Sequence, residues 1–230
     1  MHIVVIKNNQ MDEHARELKE RYIALRSKVF LGTYPETTGY KGGADSFDAR
    51  ENTVYIIGVD DADHNKVVAG ARFMISNGES GDRLRFEKVP HLQIENILPH
   101  IDTSGLRYVE LGGVAADPPG TGAGTKIQEY ALQMFKDNKI DADVFAALML
   151  PSNVGPLTRS VQTAGIDNVA VREDLIYKKG DVPRILVMAA RDSAFPLLSE
   201  DMKQRGVGTP PNEFYLQMKQ GMPAEKRAKV

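Results

Sequence analysis

The sequence predicts an α/β domain. Three observations carry that expectation: β-rich apolar runs recur at 53–59, 67–75, 107–115 and 144–150; an apolar stripe of helical period lies near the N-terminus; and a strand, a glycine-rich turn and a helix follow one another between 107 and 136. A chain of 230 residues can bury a core without staples.

Composition removes several classes of function. The chain has no cysteine, so disulfides, thiolate zinc sites and cysteine nucleophiles are excluded, and a reducing cytosol fits. Lys+Arg number 29 against 31 for Asp+Glu, which speaks against a broad phosphate-binding face and against nucleic acid as a partner. The apolar run near Met1 is far too short for a signal-peptide core, and no stretch approaches the length of a membrane span. The expectation is a soluble cytoplasmic protein with no metal.

After a short opening strand, Ala15, Leu18, Tyr22, Leu25 and Val29 recur at steps of three and four, predicting a helix from about Asp12 to Phe30 with Arg26 near the edge of its apolar stripe. The stretch 31–44 is rich in glycine and threonine and has no period, so it reads as a long loop and a candidate substrate lid. The runs 53–59 and 67–75 flank the polar segment 60–66 and read as a hairpin of central strands. Strand 107–115 passes through Asp117-Pro118-Pro119 into the glycine turn and then a helix from about Gly124 to Lys136. Val144–Leu150 is a further strand, Asn153 opens a helix that stops at Gly165, and Ile185–Ala190 adds another strand. Residues 1–198 are expected to form the main domain, and 199–230 a helical extension, with a helix around Asn212–Lys219 and a mobile charged end.

The glycine turn carries chemistry. Backbone amides at a helix N-terminus are unpaired and lie at the positive end of the helix dipole, and residues without side chains let a pyrophosphate come close to them. Gly120, Gly122 and Gly124 give that access, with Pro119, Thr121, Ala123 and Thr125 between and beside them. Glycines that merely make a tight turn, or a dinucleotide-binding loop, are the competing readings; the second needs wider glycine spacing and an early βαβ unit.

The segment from Val114 to Ile127 resembles the acyl-CoA loop of the GNAT acyltransferases, Val-x-Pro-x-x-Arg-Gly-x-Gly-x-Gly-x-x-Leu, without a gap. Pro119 stands where that family has Arg or Gln, and Ala116 where it has proline. The resemblance implies a three-layer αβα sandwich around a mixed, mostly antiparallel sheet, and an acyl thioester as co-substrate. Asn153, followed by a helix and Gly165-Ile166, is similar to the second GNAT element, in which an asparagine contacts the donor arm; a helix N-cap is the alternative. Val161 occupies the position of that element's usual tyrosine acid.

A second resemblance covers roughly Tyr22 to Leu92. Leu25-Arg26-Ser27-Lys28-Val29-Phe30, Tyr34, Asp45-Ser46-Phe47-Asp48, Asn52 to Ile57, Val68 to Arg72 and Arg85 to Leu92 follow the order seen in the autoinducer synthases, the acyl-homoserine-lactone synthases of quorum sensing, which share the GNAT core. It implies that Arg26, Phe30, Tyr34, Asp45, Asp48 and Arg72 shape an acceptor pocket for S-adenosylmethionine or an amino acid. Taken singly, the two aspartates read equally as turn residues, Arg26 as a solvated helix residue and Arg72 as a strand residue snorkelling to the surface.

Attack of an amine on a thioester needs a proton acceptor and a stabilised oxyanion. Glu110 matches the glutamate of the same family's Trp-Glu-x-Ser-Arg-Phe strand and is the candidate base, with strand amides near Val114 holding the thioester carbonyl. Gly112-Gly113 replaces the family's Ser-Arg, which leaves the acceptor and lactone formation open. The resemblance implies transfer of a fatty acyl group from acyl carrier protein or CoA, the carrier protein being a partner in the first case. Two alternatives stand beside it: an acetyl-CoA-dependent small-molecule N-acetyltransferase, and a GNAT-fold binding module that has lost catalysis.

Overall fold

A computed structural model describes residues 1–33, 42–76, 82–88, 93–150, 153–172, 184–192 and 195–204. Its centre is a seven-stranded sheet in two halves. β1 (His2–Lys7), β2 (Val54–Val59), β3 (Val67–Ser76) and β4 (Tyr108–Ala116) pair antiparallel in sequence order. β5 (Val144–Met149), β6 (Val169–Arg172) and β7 (Ile185–Ala190) form the second half, with β7 antiparallel between the other two. The halves meet in one parallel pair, β4 with β5. The sheet is mixed and mostly antiparallel, as expected.

Helices cover both faces. α1 (Glu13–Thr33) starts where the Asp12 carboxylate accepts the Ala15 amide at 2.7 Å, and it continues three residues past Phe30. Leu31, Gly32 and Thr33 are therefore helical rather than loop; Tyr34 and the rest of the proposed lid up to Lys41 lie outside the described residues. A short helix α2 (Ile94–Ile97) sits on the same side. α3 (Ala123–Lys136) and α4 (Val154–Thr163) cover the opposite face, and α5 (Glu200–Gln204) is short. The expected helix at 212–219 also lies outside the described residues. Among these, no helix is long and apolar enough to cross a membrane.

The α3 face is mainly apolar, and it carries no buried charged side chain on α3 or α4 among the described residues. Strand residues such as Ile56, Phe73, Val109 and Leu111 meet Ile127, Leu132 and Phe135 of α3. Each buried side chain of this size stabilises by roughly 1.5–3 kcal/mol. Val161 is part of this core at 1 % exposure, so it is a packing residue of α4. The α1 face is divided. Leu18, Tyr22, Tyr55 and Ile57 pack under α1, while Met74, Leu84, Phe86, Ile94 and Tyr108 form a second cluster farther along the sheet. Between these two clusters the sheet presents charged groups.

Candidate active site

β4 and β5 are in register for three pairs only: Tyr108 with Val144, Val109 with Phe145 and Glu110 with Ala146. β4 then continues to Ala116 and β5 to Met149, and among the described residues neither has a strand partner on the side facing the other. Among the described residues the two strands leave a slot whose edges present backbone amides and carbonyls outside the ladder, groups that a bound molecule can satisfy.

Glu110 is the last residue before the strands part, and it is 3 % exposed. One of its oxygens, Oε2, accepts the backbone N–H of Arg85 at 2.7 Å and of Phe86 at 3.3 Å. Burial pushes the carboxyl above the usual glutamate range, against the charge of Arg85 and those two amides. A glutamate raised in this way is a better proton acceptor at neutral pH than an exposed one. Glu110 is thus an interior residue of β4 and not one on the surface of the sheet.

The glycine turn sits at the open end of the slot. Gly120 and Gly122 have φ of +81° and +78°, and Gly122 in its left-handed conformation is the N-cap of α3. A side chain would be strained at both positions although nothing crowds either one, so backbone conformation is what requires glycine there. The Thr121 hydroxyl donates to the Pro118 carbonyl at 3.1 Å, and residues 118–122 are exposed. Gly124 lies against Val114 and Ala116 of β4, so the helix begins beside the strand that borders the slot. Ala123 and Thr125 are half-buried in the first turn. Asn153 precedes α4, is exposed, and makes no capping hydrogen bond with its side chain.

Arg26, Asp45, Asp48 and Arg72 are brought together on the α1 face. Arg26 donates to both Asp48 oxygens, at 3.1 and 2.7 Å, and to the Gly43 carbonyl at 3.0 Å. Arg72 donates to Asp45 at 2.8 and 2.6 Å and to Asp48 at 2.5 Å. Both arginines are 1 % exposed, so neither is a solvated or snorkelling residue. Asp45 is a turn residue as well as an ion-pair partner, since its Oδ1 also accepts the Phe47 amide at 2.9 Å. Burial raises the Asp48 carboxyl, but the Arg26 hydrogen bonds and the charges of both arginines outweigh it and hold the group far below the usual range. Asp45 is lowered too, its burial outweighed by Arg72.

The arrangement differs from an open pocket lined by four free groups. Asp48 is 2 % exposed and bound on all sides, with Tyr55 also donating to it at 3.1 Å, whereas the Asp45 side chain is 34 % exposed. Asp45 is the carboxylate of the cluster that an incoming ammonium can reach. Phe30, one turn beyond Arg26 on α1, is half-buried.

The structure accounts for Gly112-Gly113. The register of β3 against β4 shifts between Gly70 opposite Ala115 and Arg72 opposite Gly112, a bulge on β4 centred on Gly113, whose φ is +68°. A Cβ on Gly113 would overlap the Tyr22 hydroxyl and come within 3.1 Å of Arg26 Cδ; one on Gly112 would lie 2.7 Å from Met74 Cε. No side chain fits at 113 without displacing Tyr22.

No family model matches the sequence, and no curated protein sequence does either. Solved structures do match. The structure of BjaI, a CoA-dependent acyl-homoserine lactone synthase, with SAM and isopentyl-CoA superimposes with a TM-score of 0.55 at 15% identity, over 90% of each chain. The CoA-dependent acyl-homoserine lactone synthase MesI gives 0.54 at 14%, covering 90% of this chain and 97% of that one. An acyl-CoA N-acyltransferase from Pseudomonas aeruginosa gives 0.50 at 16%, covering 83% and 100%. The chain has the GNAT fold. Within it, the split between β4 and β5, the bulge at Gly113 and the glycine turn at the start of α3 follow one another along the second half of β4 and the residues just after it.

Three groups around this site escape a reading of the sequence. Tyr22 passes as a member of an apolar stripe, yet its hydroxyl donates to the Gly113 carbonyl at 2.7 Å. A buried tyrosine needs such a partner, which is the signal that could have found it. Tyr55 looks like an ordinary strand aromatic, and Glu87 gave no signal at all. Glu87 accepts the amides of Leu84 at 2.7 Å and Ile94 at 3.3 Å, and burial raises its carboxyl. Glu110 thus ties Arg85 and Phe86 to β4, and Glu87 ties Leu84 to Ile94. The large apolar side chains Phe73 and Met74 of β3 and Leu148 and Met149 of β5 do not line one wall: Phe73 belongs to the α3 face and Met74 to the other, while Leu148 and Met149 are partly buried. A shallow groove of about 350 Å³ between β1 and the first turns of α1 holds none of the groups above.

Proposed function

We propose that the protein is an N-acyltransferase that moves an acyl group from a CoA or acyl-carrier-protein thioester to the amine of S-adenosylmethionine or an amino acid. The observation that carries this reading is Glu110: a buried carboxylate, raised above its ordinary range, at the point where β4 and β5 part and facing the same side of the sheet as the Arg–Asp cluster.

The glycine turn, with the α3 amides behind it, holds the donor's phosphates, and the arm runs down the slot past Val114, with Asn153 at its far side. Asp45 receives the ammonium of the acceptor, in charge-assisted contact balanced by Arg72. Glu110 takes a proton from the amine, directly or through one water. The free nitrogen lone pair attacks the thioester carbonyl carbon, the carbonyl oxygen becomes an oxyanion against the β4 amides near Val114, and as the C–S bond breaks the nitrogen's second proton passes to the departing sulfur, which leaves as the thiol. The likeness to BjaI, whose structure holds SAM and isopentyl-CoA, supports this pairing of substrates. Gly113, with no room for a side chain, favours a simple N-acyl amino acid over a lactone as the product, because the arginine that accompanies lactone formation in the resembling family has no counterpart at this position. The chain functions in the cytoplasm in this reading.

The test is to incubate the purified chain with acyl-CoA and acyl-carrier-protein donors of mixed length, together with S-adenosylmethionine or free amino acids, and to identify products by mass spectrometry. An N-acyl amino acid is expected. An acyl-homoserine lactone moves the product within the same reading, acetylation with acetyl-CoA alone replaces it with a small-molecule N-acetyltransferase, and no product with any donor sinks it in favour of a binding module.

A further inference from the structure

Tyr22 lies wholly buried beneath α1, and its phenol contributes more than packing. Its ring fills the space over Gly70, where even a Cβ would collide with it, and stacks edge-on against Tyr55 at 5.8 Å. The Arg26 guanidinium sits 5.6 Å above the same ring. The ring is thus held from three sides, by β3, by β2 and by its own helix. From that fixed position the hydroxyl donates to the carbonyl oxygen of Gly113, at the bulge of β4.

The bond has a consequence for the next residue. The peptide unit between Gly113 and Val114 is planar, and in a trans peptide its C=O and N–H point in opposite directions. With the oxygen drawn to the α1 face by Tyr22, the Val114 N–H is directed to the other face, where α3 begins and where Gly124 packs against Val114. A regular strand would put that amide into the sheet ladder. The bulge takes it out of the regular register, since no register pair includes Gly113 or Val114, and the left-handed φ of Gly113 permits the turn. A peptide plane outside the regular register, without a clamp, is less firmly oriented than one inside it.

We infer that Tyr22 is a positioning residue of the transfer site, which by holding the Gly113 carbonyl aims the Val114 amide at the oxyanion formed on the thioester carbonyl. This rests on the acyl-transfer reading above. Tyr22 touches neither substrate, and acts through the one peptide plane between it and the slot.

The test is Tyr22→Phe, which keeps the ring and removes the donor. In the preferred acyl-CoA and acceptor, kcat is expected to fall by roughly tenfold to a hundredfold, as for a reacting geometry that has become loose, with KM for the donor within about twofold of the parent. The acid limb of the pH profile, which belongs to Glu110, should stay in place. Hydrogen exchange provides a readout that needs no turnover: in the variant the Val114 amide should exchange at least about tenfold faster in the presence of CoA, while the amides of β2 keep their protection. A reciprocal variant checks the contact itself. Gly113→Ala overlaps the Tyr22 hydroxyl, so adding it to Tyr22→Phe should cost less activity than the two single losses combined.

Unchanged kcat in a folded Tyr22→Phe overturns the inference, as does loss of donor affinity equal to the loss of rate. If the parent chain transfers no acyl group, the functional reading falls by itself. The positioning of Val114 is then decided by hydrogen exchange alone, and unchanged exchange at Val114 refutes it.

Discussion

The two faces of the central sheet solve the same packing problem with different chemistry. On the α3 side, Phe73, Val109 and Leu111 meet Ile127, Leu132 and Phe135, and Phe73 and Phe145 contact edge to face at 6.4 Å. On the α1 side, residues of the same strands carry Arg72, Tyr55 and Glu110, and the surrounding elements supply Arg26, Asp45 and Asp48 to meet them. The apolar face depends on area and shape, so it is insensitive to pH and tolerant of conservative exchange. The polar face depends on every charge having its partner, because a buried charge left alone costs more than the pair ever contributed. Such an arrangement is expensive to maintain for stability alone, and on this face it surrounds the candidate chemistry.

The comparison can be broken most severely at Glu110. Glu110→Gln should lower kcat by about 10²–10⁴ while leaving thermal stability unchanged or higher, because the amide oxygen can still accept from Arg85 and Phe86 and no buried charge remains. In the parent, the carboxyl is raised by burial, so the base is lost as pH falls through a value above the ordinary glutamate range; a pH–rate profile should show that acid limb, and the variant should lack it. A variant with full turnover would reduce Glu110 to an anchor for 84–88.

Next in size is Arg72→Met, which leaves Asp45 without its arginine and Asp48 with Arg26 as its one remaining arginine. Urea denaturation at neutral pH should show a loss of about 3–5 kcal/mol. The Asp45 and Asp48 carboxyls are depressed in the fold, so their stabilisation is present above the unfolded value, near pH 4, and disappears as pH falls through the folded values. The gap between parent and variant should therefore narrow in acid. On the apolar face, Leu132→Ala should cost about 2–5 kcal/mol with no such pH dependence. An equal pH dependence of the two variants would erase the distinction between the faces.

The smallest effect is expected at the turn. Gly120→Ala places a Cβ on a left-handed residue in open space, and should cost about 1–2 kcal/mol. It should raise the donor's KM with little change in kcat, as measured by steady-state kinetics.

The same contrast explains what could be read from the residues alone. Long β-branched runs identify β2, β3, β4, β5 and β7 to within a residue or two, since period and apolarity are local properties. β6 escapes because four residues carry too little pattern, and the helix at Ile94–Ile97 for the same reason. Leu31-Gly32-Thr33 was legible as loop, but α1 runs through it, because one glycine near a helix end costs only about 1 kcal/mol. The Arg–Asp set was visible as an ordered series, yet its burial was not: nothing local to Arg26 shows that Asp48, 22 residues on, satisfies it. The ties of Glu110 to Arg85 and Phe86, and of Tyr22 to Gly113, span 24 to 91 residues and exist only once the sheet is assembled.

The three register pairs between β4 and β5 make the sheet mechanically unequal. Neighbouring strands within each half share more register pairs than the seam does, even across the bulge at Gly113, so the seam is the line of the sheet held by the fewest ladder pairs. A molecule lying in the slot and bonding to both edges acts there as a splint, lengthening the seam with its own amides. The domain should then be stiffest when it is loaded, and release of the spent thiol should return its hinge.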